Sequence, residues 1–127
     1  MRFVPALLYA GLIFWMSSQP RLPQAPFLFD GIDKLFHAGE YAILGLLLLF
    51  GDRWPVGRRA WGWVAVSLVY AASDEMHQLF VPNRSADVAD WVADTSGALI
   101  ATAIWLKLRG TLRRPADGAQ ASATAAS

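Results

Sequence analysis

Four apolar stretches follow one another along the chain, separated by short breaks rich in Pro, Gly and charged residues. They cover about residues 3–18, 33–50, 61–80 and 88–108. A helix that crosses a bilayer needs roughly 20 mostly apolar residues, so each stretch predicts one membrane-spanning helix. The pattern therefore predicts an all-α polytopic membrane protein with four transmembrane helices. These form one membrane domain over residues 1–109, followed by a small, polar, disordered tail over residues 110–127.

The distribution of basic residues predicts the orientation of these helices. Eight of the eleven Lys and Arg residues fall at the two termini or between the second and third stretches. The other three, Arg21, Lys34 and Arg84, fall on the opposite side. Because positive charge is retained in the cytoplasm, we expect both termini to be cytoplasmic. The first stretch is followed by no A-x-A cleavage site, which favours a retained helix over a cleaved signal peptide.

Composition narrows the class of protein further. Hydrophobic residues make up 55% of the chain and charged residues only 17%, a composition that points away from an ordinary soluble domain. The basic residues are spread along the chain, so we expect no nucleic-acid partner. There is no Cys, which excludes disulfides, thiolate zinc sites and cysteine nucleophiles.

Ionisable side chains concentrate in the outer halves of the second, third and fourth predicted helices. Within each helix they recur three or four residues apart and so share a face. The three groups are Asp33, His37 and Glu40 with Tyr41 beside them, then Asp74, Glu75 and Gln78, then Asp87, Asp90 and Asp94. Glu40, Asp74 and Asp94 each lie roughly 9 Å inside the outer boundary of their helix.

Burial in lipid would be costly for these groups. An ionised Asp near the centre of a membrane helix costs about 2.5 to 3.5 kcal/mol even on insertion scales. The groups must therefore face one another, a water-filled cavity, a cation, or the basic Lys34 and Arg84. This predicts a polar pocket that opens outward between the second, third and fourth helices.

Two segments resemble the VanZ-like family of small bacterial membrane proteins. They are "DKLFHAGEYAILGLLL" and "SDEMHQLFVPNRSADVADWVADTSGALIA", and the resemblance extends over about residues 5–108. The family pattern commonly has Asn where this chain has Asp94. The resemblance implies a site at the outer face of the bacterial cytoplasmic membrane, near cell-envelope precursors. It also implies a link to glycopeptide resistance, since the family is named after a protein associated with resistance to teicoplanin.

The first hypothesis is a pocket that binds an envelope-related lipid or sugar head group and influences susceptibility to teicoplanin-type glycopeptides. Its partners would be the lipid bilayer and a lipid-linked envelope precursor. The candidate binding residues are Asp33, Lys34, Glu40, Tyr41, Gln78, Arg84, Ser85, Asp87, Asp90 and Asp94.

The alternative is a membrane-embedded enzyme that acts on a phospholipid or cell-wall precursor. Asp74, Glu75 and His37 would then be catalytic, through acid–base chemistry or through a bound divalent cation. No established nucleophile motif supports this reading. A purely structural role in interhelical hydrogen bonding is a third reading. Proton or cation translocation is disfavoured because the inner halves of the helices carry no ionisable relay. The ligand, the metal and the oligomeric state stay open.

Overall fold

The computed structural model describes residues 1–20 and 31–125, with side-chain surroundings as far as residue 109. Within that part the chain forms four helices and no strand. The helices are α1 (Val4–Ser17), α2 (Ile32–Gly51), α3 (Arg58–Gln78) and α4 (Val88–Ala125). The prediction of an all-α, four-helix chain is confirmed, and helices occupy all four predicted stretches.

Local chemistry explains where each helix begins. Pro5 lies in the first turn of α1, where its missing N–H is not needed. Gly31 and Gly57 precede α2 and α3 with φ of 90° and 60°, a backbone region that glycine enters without steric cost. The Asp87 carboxylate accepts a hydrogen bond from the Ala89 backbone N–H at 2.8 Å, which caps the start of α4.

The last helix is longer than the sequence predicts. The pattern places the end of the fourth helix near residue 108, whereas α4 continues to Ala125. The disorder predicted for residues 110–127 stays a prediction. The tail is rich in Ala, the strongest helix former. Its residues extend a helix that is already nucleated, which is far easier than starting one.

The closest packing in the bundle is between α2 and α4. A Cβ on Gly97 would overlap the backbone carbonyl of Ala38, and a Cβ on Gly45 would lie 3.6 Å from the Ala98 Cα. Small residues at such a crossing let two helix backbones approach closely. His37, next to Ala38 in α2, and Asp94, one turn before Gly97 in α4, are thereby held within reach of each other.

Large apolar side chains lie mostly on the surface, and a small cluster fills the centre. Ile13, Tyr41, Leu44 and Ala71 are buried together.

Among the described helices, α2 is the one that is both long enough and apolar enough to cross a membrane, while the apolar α1 is shorter. The predictions of four membrane crossings and of cytoplasmic termini are therefore not confirmed by the fold.

Candidate functional site

Lys34 lies at the centre of three carboxylates where α2 and α4 begin. Its Nζ donates to Asp87 Oδ2 at 2.9 Å and to Asp90 Oδ1, and lies 3.2 Å from Asp33 Oδ2. Asp90 is 1% exposed. A buried carboxylate is costly unless it is paired, so Lys34 compensates Asp90 and ties the start of α2 to the start of α4.

His37 lies one turn deeper between the same two helices. Its Nδ1 is 3.0 Å from Asp94 Oδ1, and its Nε2 is 3.8 Å from Asp90 Oδ2. Two buried oxygens nearby, Asp94 Oδ2 and the Tyr41 hydroxyl, have no hydrogen-bond partner among the described residues. Buried polar atoms are normally satisfied, so two such oxygens beside His37 are unusual.

Asp74 connects α3 to α1. Its carboxylate accepts a hydrogen bond from Ser17 Oγ at 2.5 Å and another from Gln78 Nε2 at 3.2 Å. The predicted pocket between the second, third and fourth helices must be corrected here, because α1 forms one of its walls. Ser17 carries no charge, so a search for ionisable groups in apolar helices does not find it.

Arg84 lies in the turn between α3 and α4 and reaches across to the end of α1. Its Nε donates to the Gln19 carbonyl at 3.1 Å and its Nη2 to the Met16 carbonyl at 3.2 Å. Its Nη1 also donates to Gln78 Oε1 at 3.4 Å. Arg84 therefore satisfies carbonyls at the end of α1 and holds the turn over that end.

Glu75 takes a separate position from Asp74. Its Oε2 accepts a hydrogen bond from the Asp87 backbone N–H at 2.7 Å. It lines a different pocket, against Ala72 and Trp91. The contact fixes the turn that leads into α4.

A cavity of about 200 Å³ lies between α1, α2 and α3, next to Arg84. Its apolar wall is formed by Ile13, Met16 and Phe36. Its polar lining is formed by Asp33, His37, Glu40, Asp74, Gln78 and Arg84. Of these, Glu40 makes no hydrogen bond to another described side chain or backbone group. Acidic and basic groups thus face one small cavity at the end of the bundle where α2 begins.

Comparison with known protein families shows which family the chain belongs to. A model of the VanZ/LLP1 family matches residues 2–110. The chain belongs to the VanZ/LLP1 family. The match includes all of α1, α2 and α3 and the part of α4 that packs against α2, so the predicted resemblance to VanZ-like proteins is confirmed. Neither the curated proteins nor the solved structures gave a match.

The predicted site residues of this VanZ/LLP1-family protein fall into two adjoining groups. Those that line the cavity are Asp33, His37, Glu40, Asp74, Gln78 and Arg84. Those that join α2 to α4 are Lys34, Asp87, Asp90 and Asp94. His37 belongs to both groups, since it lines the cavity and contacts Asp94. Three predicted residues lie outside both groups: Glu75 at the turn, Tyr41 in the core and Ser85 on the surface.

Two further polar residues of the family domain were absent from the predicted site. Ser18 Oγ lies 2.9 Å from His77 Nε2. The Phe14 ring stacks on His77 with 4.3 Å between ring centroids. The paired serines at the end of the first apolar stretch, Ser17 and Ser18, are the signal in the sequence that indicates contacts of this kind.

The carboxylates are arranged around an ammonium group rather than around an open centre. Asp33, Asp87 and Asp90 converge on Lys34. Among the described residues, no three His, Asp or Glu side chains are grouped so that they could hold a metal ion. The divalent cation considered for the enzymatic reading stays a prediction.

Proposed function

We propose that this VanZ/LLP1-family protein is a multi-pass protein of the bacterial cytoplasmic membrane, with both termini in the cytoplasm and its polar cavity facing outward. The distribution of its side chains supports this. Leu7, Leu8 and Val69 are each at least 70% exposed, whereas Asp90 and Asp94 are 1% exposed. Soluble proteins rarely expose large apolar side chains while burying carboxylates. A lipid environment favours that arrangement.

The cavity binds an envelope-related lipid or sugar head group in this proposal. The observation that carries it is Glu40, which lines the cavity without a hydrogen-bond partner among the described residues, close to Arg84 and His37. Carboxylates accept hydrogen bonds from hydroxyl and ammonium groups, and guanidinium groups bind phosphate. At about 200 Å³, the cavity is smaller than the roughly 300–1,000 Å³ of drug-sized sites. It therefore suits a head group rather than a whole lipid.

The decisive test is Glu40→Gln, which keeps the shape of the side chain and removes its charge. Binding of a lipid-linked muropeptide precursor and of phosphatidylethanolamine to the full-length protein is measured by native mass spectrometry. Losing one charge-assisted hydrogen bond weakens binding by about 10- to 100-fold. The control is Arg58→Gln, which removes one charge at the start of α3, away from this cavity, and should bind as the wild type does. Unchanged binding by Glu40→Gln would exclude the cavity as the head-group site.

An effect on glycopeptide susceptibility follows from binding at this site. A protein that holds a cell-wall precursor at the outer face alters the access of teicoplanin-type antibiotics to that precursor. We expect expression of the wild-type protein to raise the inhibitory concentration of teicoplanin. Glu40→Gln, expressed to the same level, should not. If both proteins raise the inhibitory concentration of teicoplanin equally, any role in resistance does not depend on the cavity.

Catalysis is the second candidate, and one observation favours it. His37 Nδ1 lies 3.0 Å from Asp94 Oδ1. A carboxylate that orients an imidazole in this way is the usual support for a general base. If the protein is an enzyme, His37→Gln should stop turnover of a phospholipid or precursor while binding is retained. Recovery of unaltered lipid from the wild-type protein favours the binding function.

A further inference from the structure

We propose that the end of the bundle opposite the polar cavity holds a second site, which binds the phosphate of an anionic phospholipid. This site is formed by the turn between α2 and α3 together with the side of α4. It is a cavity of about 640 Å³ whose lining includes Asp52, Arg53, Trp54, Arg59 and Arg109. The two sites share no residue, so this inference goes beyond head-group binding at Glu40.

The backbone of the turn is held in an unusual conformation. Arg53 and Trp54 have φ of 60° and 58°, and two consecutive non-glycine residues in this left-handed region are uncommon. The Trp54 N–H donates to the Leu49 carbonyl at 2.7 Å, which closes the end of α2. Strain of this kind persists where surrounding contacts impose it, and it often occurs at binding sites. Here it directs Trp54 towards α4.

Aromatic contacts fix the turn against α4. The rings of Trp54 and Trp105 lie 4.5 Å apart between centroids. The Trp105 Nε1 donates to the Pro55 carbonyl at 3.2 Å. Trp side chains favour the interface between lipid and water. The wall of this cavity therefore suits the head-group level of a bilayer, which argues for a lipid rather than a free anion.

The charge of the cavity is unbalanced. Arg59 is paired with Asp52 through its Nε at 3.0 Å and through its Nη2. Arg53 and Arg109 make no ion pair within the described part of the chain. The Arg109 guanidinium lies over the Trp105 ring at 5.0 Å, and its buried Nε has no hydrogen-bond partner among the described residues.

These features together specify the ligand chemistry. Guanidinium groups bind phosphate oxygens through paired N–H donors, whereas an ammonium group acts as a point charge. Basic pockets between membrane helices are typical sites for anionic lipid head groups. Two Arg side chains that make no ion pair with the described residues, beside an aromatic wall, thus fit one phosphate with its glycerol group. The inference rests on the membrane placement proposed above, but not on the head-group function of the Glu40 cavity.

The experiment compares variants of the full-length protein by native mass spectrometry in the presence of phosphatidylglycerol or phosphatidylcholine. We expect the wild type to prefer phosphatidylglycerol. Arg53→Gln and Arg109→Gln should each weaken its binding on the order of tenfold, the effect of one charge-assisted hydrogen bond. Arg109→Lys should keep only part of the wild-type binding of phosphatidylglycerol, because Lys retains the positive charge but lacks the paired N–H donors of Arg. Ser73→Ala, at an exposed residue that lines neither cavity, should bind phosphatidylglycerol as the wild type does.

Arg58→Gln is the matched control, since Arg58 is close in the sequence but does not line this cavity. Equal loss of phosphatidylglycerol in Arg58→Gln and Arg109→Gln would overturn the site in favour of general charge attraction. Displacement of the lipid by inorganic phosphate at low millimolar concentration would overturn the choice of a lipid and indicate a free-phosphate site. Full binding by Arg109→Gln would overturn the role of Arg109.

Discussion

Asp74 and Glu75 are neighbours in the chain and both accept a hydrogen bond from Gln78 Nε2, at 3.2 Å and 3.5 Å, yet their other partners differ. Asp74 accepts a hydrogen bond from Ser17 and faces the cavity. Glu75 instead accepts from the backbone of Asp87 in the next turn. Successive residues of a helix point about 100° apart, so a pair that looks like one acidic motif serves two faces of α3.

The different roles lead to a prediction for Glu75. Glu75→Ala removes the acceptor of the Asp87 N–H, and leaving such a donor unpaired costs about 1–3 kcal/mol. Glu75→Gln retains an amide oxygen in the same place and should cost much less. Thermal unfolding of the detergent-solubilised protein measures both, with the surface variant Ser73→Ala as control. If Glu75→Ala keeps full stability but loses lipid binding, Glu75 contacts the ligand after all.

At the scale of the helices, the crossing of α2 and α4 positions the polar groups. Gly97 lies against the Ala38 carbonyl. On the N-terminal side of this contact in both helices, His37 meets Asp94 and Lys34 meets Asp90. Since all these residues lie near one close approach, any change in the separation of the two backbones disturbs every pair at once.

Gly97→Ala tests this crossing. Its methyl group would overlap the Ala38 carbonyl, so we expect a loss of about 1–3 kcal/mol, the usual range for overpacking. The matched control is Gly39→Ala, where an added Cβ meets nothing within 4 Å. There Ala should stabilise the helix by about 0.5–1 kcal/mol. Opposite shifts of the melting temperature are expected, and a neutral Gly97→Ala would mean that the helices are farther apart.

The number and type of helices could be predicted from the sequence because each apolar stretch is long enough to form one. The grouping of Asp33, His37 and Glu40 on one face of α2 also follows from their spacing. The contribution of Ser17 could not be predicted, since the rotation of α1 against α3 depends on packing rather than on the period of one helix. The continuation of α4 past residue 108 was missed because polar composition favours disorder while Ala favours helix.

On the scale of the whole molecule, the two ends of the bundle differ in chemistry. One end carries acidic groups compensated by Lys34 and Arg84, and the other carries Arg53, Arg59 and Arg109. The positive-inside rule predicts that the second end lies in the cytoplasm. The difference therefore predicts how the protein is oriented in the membrane, and this orientation can be measured directly.

The absence of Cys from the chain makes orientation easy to test. A single Cys is introduced at exposed Ser85 in one variant and at exposed Val56 in another. We expect a membrane-impermeant maleimide to label Ser85→Cys in intact spheroplasts. Val56→Cys should be labelled only after the membrane is opened. The reverse pattern would place the polar cavity in the cytoplasm.

The helices also differ in how firmly each is attached to the rest of the bundle. α1 is joined to the others by a few polar contacts, among them the hydrogen bond from the Tyr70 hydroxyl to the Ala10 carbonyl at 2.6 Å. We expect backbone amides of α1 to exchange with solvent deuterium faster than those of α2 near Ala38. Tyr70→Phe should accelerate exchange in α1 alone. Uniform exchange across all four helices would contradict this.

The length of α1 has a consequence for the bilayer itself. Its 14 residues rise about 21 Å, well short of a hydrocarbon core of roughly 30 Å. A helix shorter than the local membrane is accommodated by thinning of the lipid around it. If α1 crosses the membrane as proposed, the thinned region would lie next to Glu40 and Asp74, because α1 walls the cavity through Ile13, Met16 and Ser17. Lipid phosphates would then sit deeper there than elsewhere, and a head group would reach the site by sideways diffusion in the leaflet.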